Sequence, residues 1–441
     1  VAPLSYALRR ISTPESGILP PGKGTGHPLF ARAPVKGSGP GRDSVVVSGT
    51  PEPVFVMIYL DYNATTPLAP EALARMLPLL EGTHGNPSSI HAAGRAARAV
   101  IDDARDELAA LLGGRPHEII FTGGGTEADN LAVLGLARRR VRDGARRHLI
   151  TARTEHHAVL HAAEFLHEAE GFEISWLGVD RFGRVDPDEL RARLRPDTAL
   201  VTLMSANNET GTLQPIGEMA TICREVGVPF HSDGVQGFGK QPLSIKDTKE
   251  NAAPDALSLA AHKFYGPKGV GLLWLRAGVP IDRVAHGGAH ENERRPGTEN
   301  PAGIAGMAEA ARLVLEGREA EQGRQAALRE ALWSGLRTVY PAIRRNGHPR
   351  ETLGNTLNVS FPGLDGESLL INLDLEGIAA SSGSACMVGS IQPSHVLLAM
   401  GVETAVAHST VRFSLGKGTT SQEIKNVIAR MARIVERLQS V

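Results

Sequence analysis

The sequence predicts an α/β protein: a large domain on a mostly parallel sheet, followed by a smaller α+β domain. Three observations carry this. From Met57 onward, short apolar runs alternate with segments of helical spacing; polar, glycine-containing clusters stand where several of those runs end; and after about residue 300 longer helices and isolated strands replace the alternation. The length of 441 residues agrees with two to three domains of about 150 residues each.

The first 56 residues stand apart. They hold 9 of the 28 prolines and 8 of the 49 glycines, in runs such as Pro20-Pro21-Gly22 and Gly37-Ser38-Gly39-Pro40-Gly41. Proline removes donors and glycine is costly to order, so residues 1–56 are expected to be a disordered or non-native extension. Arg9-Arg10 before Ser12 and Thr13 leave a targeting peptide open, although no amphipathic pattern continues past Pro14.

Beyond Met57, Ser88 is placed to cap a helix carrying Ala96, Val100, Ile101, Ala104, Leu108, Leu111 and Leu112 at helical spacing. Glu118 to Phe121 reads as a short buried strand, and Asn130 to Arg140 as a helix. Strands follow around Leu149-Ile150, Glu173 to Trp176, Ala199 to Met204 and Val228 to His231, with helices at Ala158 to Ala169 and Glu218 to Val226. One long helix is expected around Met307 to Val339, then strands at Asn358 to Phe361, Ile378-Ala379 and Val411 to Ser414. The last helix opens on a capping box, Thr420 with Glu423, and lines up Ile424, Val427, Ile428, Met431, Ile434, Val435 and Leu438. The expected division is 57–305 for the large domain and 306–441 for the small one.

Composition narrows the function classes. With 47 Lys and Arg against 48 Asp and Glu, there is no electrostatic footprint for nucleic acid or an anionic membrane. No apolar run approaches the roughly 18–20 residues of a membrane span. Two cysteines cannot form a disulfide framework and point to a reducing, cytoplasmic setting.

Open parallel sheets bind ligands beyond the carboxyl ends of their strands, and four clusters lie at such positions. Thr122-Gly123-Gly124-Gly125-Thr126-Glu127 is either a tight strand-to-helix turn or an anion loop, where glycine lets the backbone approach and a helix start points N–H groups outward. Asp233 closes an apolar run, as a helix cap or a partner for a buried cation. Lys263, in His262-Lys263-Phe264-Tyr265-Gly266-Pro267, is either a surface side chain or a desolvated amine fit for an imine. An acid, an amine and an anion loop together suit pyridoxal phosphate. In Ser381-Ser382-Gly383-Ser384-Ala385-Cys386 the small polar surroundings favour an exposed, reactive thiol, whereas Cys223, beside Ile222 on an apolar helix face, reads as buried and inert. His157 and His161 are four apart near Glu155 and Glu164, but no further ligand follows at zinc spacing, so no metal is expected.

Taken in order, these residues resemble the cysteine desulfurases of the NifS/IscS type, in the aminotransferase class V family. The resemblance runs from about Ile58 to Leu438. It is carried by Leu60-Asp61-Tyr62-Asn63-Ala64-Thr65-Thr66-Pro67, Gly85-Asn86-Pro87-Ser88-Ser89, Thr154-Glu155-His156, Asn207 to Gly211, His262-Lys263, Arg295 to Asn300, Ser381 to Cys386 and Arg412-Phe413-Ser414. It implies a pyridoxal-phosphate-dependent transferase of fold type I, working as a homodimer on L-cysteine. Lys263 would hold the cofactor and move protons, Asp233 would pair with the ring nitrogen, and Gln236 with the ring oxygen. His156 would stack on the ring and assist protonation. Gly125, Thr126 and His262 would bind the phosphate, joined by Thr298 from the second subunit. Asn208 and Arg412 would grip the substrate carboxylate. Cys386 would take the sulfur as a persulfide, release alanine, and pass sulfur to an acceptor protein such as an iron–sulfur scaffold.

Four positions depart from the family pattern. Ala260 and Gly123 stand where Ser or Thr and Ser are usual, Gly234 replaces Ala, and His290 replaces Gln. The missing hydroxyl at Ala260 predicts a weaker hold on the cofactor. Selenocysteine lyase shares the fold and the Arg-Pro-Gly-Thr-Glu-Asn run, and is the nearest alternative. A non-catalytic sulfur-relay scaffold would need none of Lys263, Asp233 and Cys386, and an ordinary aminotransferase leaves Cys386 unexplained.

Overall fold

In the computed structural model, which describes residues 57–243, 245–248, 251–382 and 393–440, the chain enters on a two-residue strand, β1 (Ile58–Tyr59). The expectations for residues 1–56 and for Cys386 lie outside the described residues. Seven strands then build the main sheet: β2 (Ile119–Thr122), β3 (His148–Ala152), β4 (Glu173–Leu177), β5 (Leu200–Thr202), β6 (Phe230–Asp233), β7 (Ala256–Ala260) and β8 (Gly271–Leu275). Their order is β2-β8-β7-β6-β5-β3-β4. Only β8 runs antiparallel to its neighbours, so the carboxyl ends of the other six share one edge.

Helices cover both faces, which is why these strands read as continuous apolar runs rather than alternating ones. Successive residues still point to opposite sides. Ile119 and Phe121 join Leu257, Leu259, Leu272 and Trp274 under the helices Ala92–Leu112 and Pro301–Glu316. Ile120, Ala256 and Leu273 face the helices Gly125–Arg142 and His157–Glu170 instead.

The second part carries β9 (Arg344–Asn346), β10 (Thr356–Ser360), β11 (Ile378–Ala379) and β12 (Thr410–Ser414). An antiparallel β12-β10-β9 sheet packs under the final helix, Ser421–Gln439, whose predicted capping box forms: Thr420 accepts from the Glu423 amide at 3.2 Å and returns its own to Glu423 at 2.7 Å.

Three expectations need correction. The helix assigned to Ser88 starts at Ala92, capped by His91 Nδ1, because Asn86 draws the Ser88 amide into a local turn. The single helix over 307–339 is two, Pro301–Glu316 and Arg318–Val339, divided at Gly317, a poor helix former. The division at 305 also differs from how the cores assemble. β1 pairs in parallel with β11, and Ile58 and Leu60 pack with Leu336, Phe361, Phe413 and Val427; residues 306–316 stay with the large core through Met307, Ala308 and Ala311. Among the described residues no helix is long and apolar enough to cross a membrane.

Candidate active site

The shared edge of the main sheet gathers the chemistry. Gly123-Gly124-Gly125 follows β2, His156 follows β3, Asn208 follows β5, Asp233 closes β6, and His262-Lys263 follows β7. All of them except Gly123 and Gly124 line a cavity of about 490 Å³, together with Thr126, Gln236, Ala260, Ser381, His395 and Arg412. Each predicted site residue among those described lines it except Thr298, which is exposed. Ser381 pairs with the Arg412 backbone on one side, and His395 stands on the other. Ser381 and His395, which stand on either side of residues 383–392 in the sequence, thus both line this cavity.

Lys263 Nζ donates to the carbonyls of Asn63 at 2.7 Å and Ala64 at 2.8 Å. Burial, then the Arg412 charge, lower its pKa to about 8, against the pull of Asp233 and Asp61. Asp233 accepts the Val235 amide at 2.8 Å, and burial raises its pKa to about 6. His156 caps the helix His157–Glu170, its Nδ1 accepting the Ala158 amide at 3.1 Å. That bond puts the proton of the neutral ring on Nε2, and burial, followed by the Lys263 charge, lowers the pKa to about 4. His156 is thus a neutral donor around pH 7. Arg412 is almost fully buried; it donates to Asp61 Oδ1 at 2.7 Å and to the Asn208 carbonyl at 3.0 Å, and its Nε has no partner among the described residues.

Several contributors were quoted in motifs without a role, or not singled out at all. Asn63 is a buried hub: its side chain donates to the Asn208 carbonyl and Thr356 and accepts from Lys240 and Asn355. Asp61 tethers the Arg412 guanidinium. Asp129, on the helix Gly125–Arg142, lines the cavity with a buried Oδ1 that has no hydrogen-bond partner among the described residues, and burial together with the Asp233 charge raises its pKa well above the usual range. A carboxylate amid Ala128, Leu131 and Ala132 was the available signal.

The departures from the family pattern have local reasons. A Cβ on Gly234 would lie 2.6 Å from Leu257 Cδ1, so the leucines here occupy the space an alanine needs. Gly123 donates its amide to Glu127 Oε2 at 2.6 Å, and the other oxygen of that carboxylate, Oε1, accepts from Arg295 Nε at 2.7 Å. His290 Nδ1 accepts the Gly297 amide at 3.2 Å and so braces the loop that presents Thr298. The same loop holds Glu291, Asn292 and Glu293 at positive φ, a conformation that costs non-glycine residues energy. Buried Glu291, gripped by both Arg105 Nη atoms at 2.9 and 2.6 Å, restrains it.

The cavity fits pyridoxal phosphate in four respects. Gly124 adopts φ 155° and ψ −177°, open to glycine alone, and the helix it starts has no side-chain cap to compete for an anion. A Cβ on Gly125 would approach Val235 to 2.8 Å and fill the cradle. An acid and a neutral-prone amine, Asp233 and Lys263, enter from adjacent strand ends, and Gln236 offers an amide between them.

A parallel sheet with an amine, an acid and an anion cradle at its carboxyl edge defines a pyridoxal-phosphate enzyme. The aminotransferase class V model matches residues 58–427, and the chain belongs to that family, whose cofactor is pyridoxal phosphate. Its relatives include proteins named cysteine desulfurase IscS from Dictyoglomus turgidum and Methanosarcina thermophila. Each is 45% identical over 384 residues, spanning 87% of this chain and 96% and 93% of theirs. Among solved structures, a NifS-like protein aligns with a TM-score of 0.80 at 35% identity, covering 87% of this chain and all of its own. One described as SspA in complex with cysteine aligns at 0.70 and 35%, covering 81% and 98%.

Proposed function

We propose that this chain is a pyridoxal-phosphate-dependent cysteine desulfurase, taking sulfur from L-cysteine onto Cys386 and releasing L-alanine. The observation that carries the reading is the convergence of Lys263, Asp233 and Arg412 on one cavity, which Ser381 and His395 also line. Relatives that are named cysteine desulfurase favour it over the lyase and scaffold alternatives.

When bound, the cofactor supplies an electron sink for the substrate amine. The protein does the rest. Arg412 presents a fork to the substrate carboxylate, with Asp61 holding the guanidinium in place and Asn208 beside it. Lys263 Nζ, at low pKa, takes and returns a proton at the substrate carbons, and His156 Nε2–H can supply a second. Asp233 would supply the negative charge that pairs with the ring nitrogen of the bound cofactor. Thr126 and neutral His262, whose pKa burial lowers to about 4, complete the anion cradle. The Cys386 thiolate then attacks the substrate sulfur; the carbon–sulfur bond breaks with its electron pair left on the carbon, a proton from Lys263 or His156 completes alanine there, and the sulfur stays on Cys386 as the outer atom of a persulfide.

The proposal extends to a homodimer in the cytoplasm that hands sulfur to an acceptor such as an iron–sulfur scaffold. The dimer is supported by Thr298, exposed and outside its own cavity, and by Leu73, Leu77, Leu80 and Ile90, all exposed.

The test is release of sulfide and alanine from L-cysteine, with and without Cys386→Ala. Equal amounts, lost in the variant while the cofactor stays bound, are expected. Selenium release from selenocysteine with no sulfide from cysteine overturns the reading.

Ala260 supplies a separate expectation. It is buried and lines the cavity close to Gly125. Ala260→Ser adds a hydroxyl for a charged group, a bond generally worth about 1.5–3 kcal/mol. Cofactor affinity, measured by equilibrium titration of the apo chain, should rise at least about tenfold; equal affinities would show that the hydroxyl has no partner there.

A further inference from the structure

We propose that Lys240 is a positioning residue that locks the side-chain amide of Gln236 with an N–H turned toward the ring oxygen of the cofactor. This rests on pyridoxal phosphate occupying the cavity. Gln236 lines that cavity and is buried. Its Oε1 accepts from Lys240 Nζ at 2.7 Å, and its Nε2 donates to the Asn63 carbonyl at 2.9 Å. An amide rotated by 180° would set oxygen against oxygen at Asn63 and an NH₂ against an ammonium at Lys240. Both bonds would be lost and both would become repulsions. With one Nε2 hydrogen used at Asn63, the second is free for the cavity.

The backbone explains how a lysine four residues on reaches back. Gly239 turns at φ 72°, and the Lys240 amide closes onto the Gly237 carbonyl at 3.1 Å. A Cβ on Gly237 would strike Ser205 Oγ at 2.4 Å, so the turn needs glycine there too. Nζ is then fixed from a second side by Asn63 Oδ1 at 3.2 Å, itself held by Asn355 at 2.9 Å.

The electrostatics fit a working role better than a stabilising one. Although the residue keeps some surface exposure, its ammonium lies inside, and among the described residues its hydrogen-bond partners are two neutral amide oxygens. Burial, with the Lys263 and Arg412 charges, lowers its pKa to about 7. A cation kept there without a carboxylate partner costs stability. What it provides is polarisation of the Gln236 carbonyl, which makes the opposite N–H a stronger donor to an anionic ring oxygen.

A double-mutant cycle tests this, using pyridoxal phosphate binding to the full apo chain by fluorescence titration. Lys240→Met should weaken binding about tenfold in the native background. In a Gln236→Leu background the same change should cost less than about twofold, because its route is gone. Lys240→Met should also raise the pH at which the visible band of the bound cofactor changes, and Lys240→Arg should restore both readouts. Equal losses in the two backgrounds, or no shift of that band, overturn the proposal. Should Lys240→Met fail to fold, Lys240→Gln, with a neutral donor in place, is read in the same cycle by the same criteria. Failure of the native chain to bind pyridoxal phosphate would instead sink the underlying reading, and is seen before any variant is made.

Discussion

Lys263→Ala should abolish capture of the cofactor and lower turnover by about 10⁴-fold, the upper range for loss of a group that moves protons at the reacting carbon. Two carbonyls, of Asn63 and Ala64, hold the amine in the cavity, and burial brings its pKa down to about 8. The sign of the pH effect follows. Only the unprotonated amine can attach an aldehyde, so capture by the native apo chain should rise as pH increases through about 8 and then level off. Borohydride reduction followed by peptide mass analysis reads this directly, with the added mass on Lys263. Mass on Lys240, the other interior amine at this site, or turnover above about 1% of native in the variant, would reject the assignment.

Asp233→Ala should lower turnover by about 10³-fold, comparable to losing a preorganised charge in a water-poor site. Its carboxylate is buried at the end of β6, oriented by the Val235 amide. The variant carries a second signature. The Asp233 charge raises the Lys263 pKa, so its removal leaves burial and Arg412 less opposed. The pH at which capture rises should therefore move below 8. A move upward, or a rate within tenfold of native, would show that Asp233 is not the charge facing the amine.

Both residues were legible as chemistry because each closes a local pattern, an apolar run ending in one functional group. Asn63 and Lys240 were not. Asn63 sits in a turn and acts through partners such as Asn208, Gln236 and Asn355, which lie 145 to 292 positions away. Lys240 follows a Gly-rich turn and looks like a solvated lysine until that turn folds it back on Gln236. Thr298 was assigned through resemblance alone, and the loop that presents it depends on an ion pair between Arg105 and Glu291, 186 residues apart.

The sequence by itself determined the alternation of strand and helix, and the placing of Gly125, Asp233 and Lys263 at or just past strand ends. Both follow from side-chain periodicity and backbone freedom within a few residues. Only the tertiary structure decided that β8 enters antiparallel between β2 and β7, that β1 crosses to pair with β11, and that Lys240 reaches Gln236 from beneath the cavity. Those choices depend on which distant surfaces bury most and which interior polar groups find partners, and periodicity along one element carries no record of either.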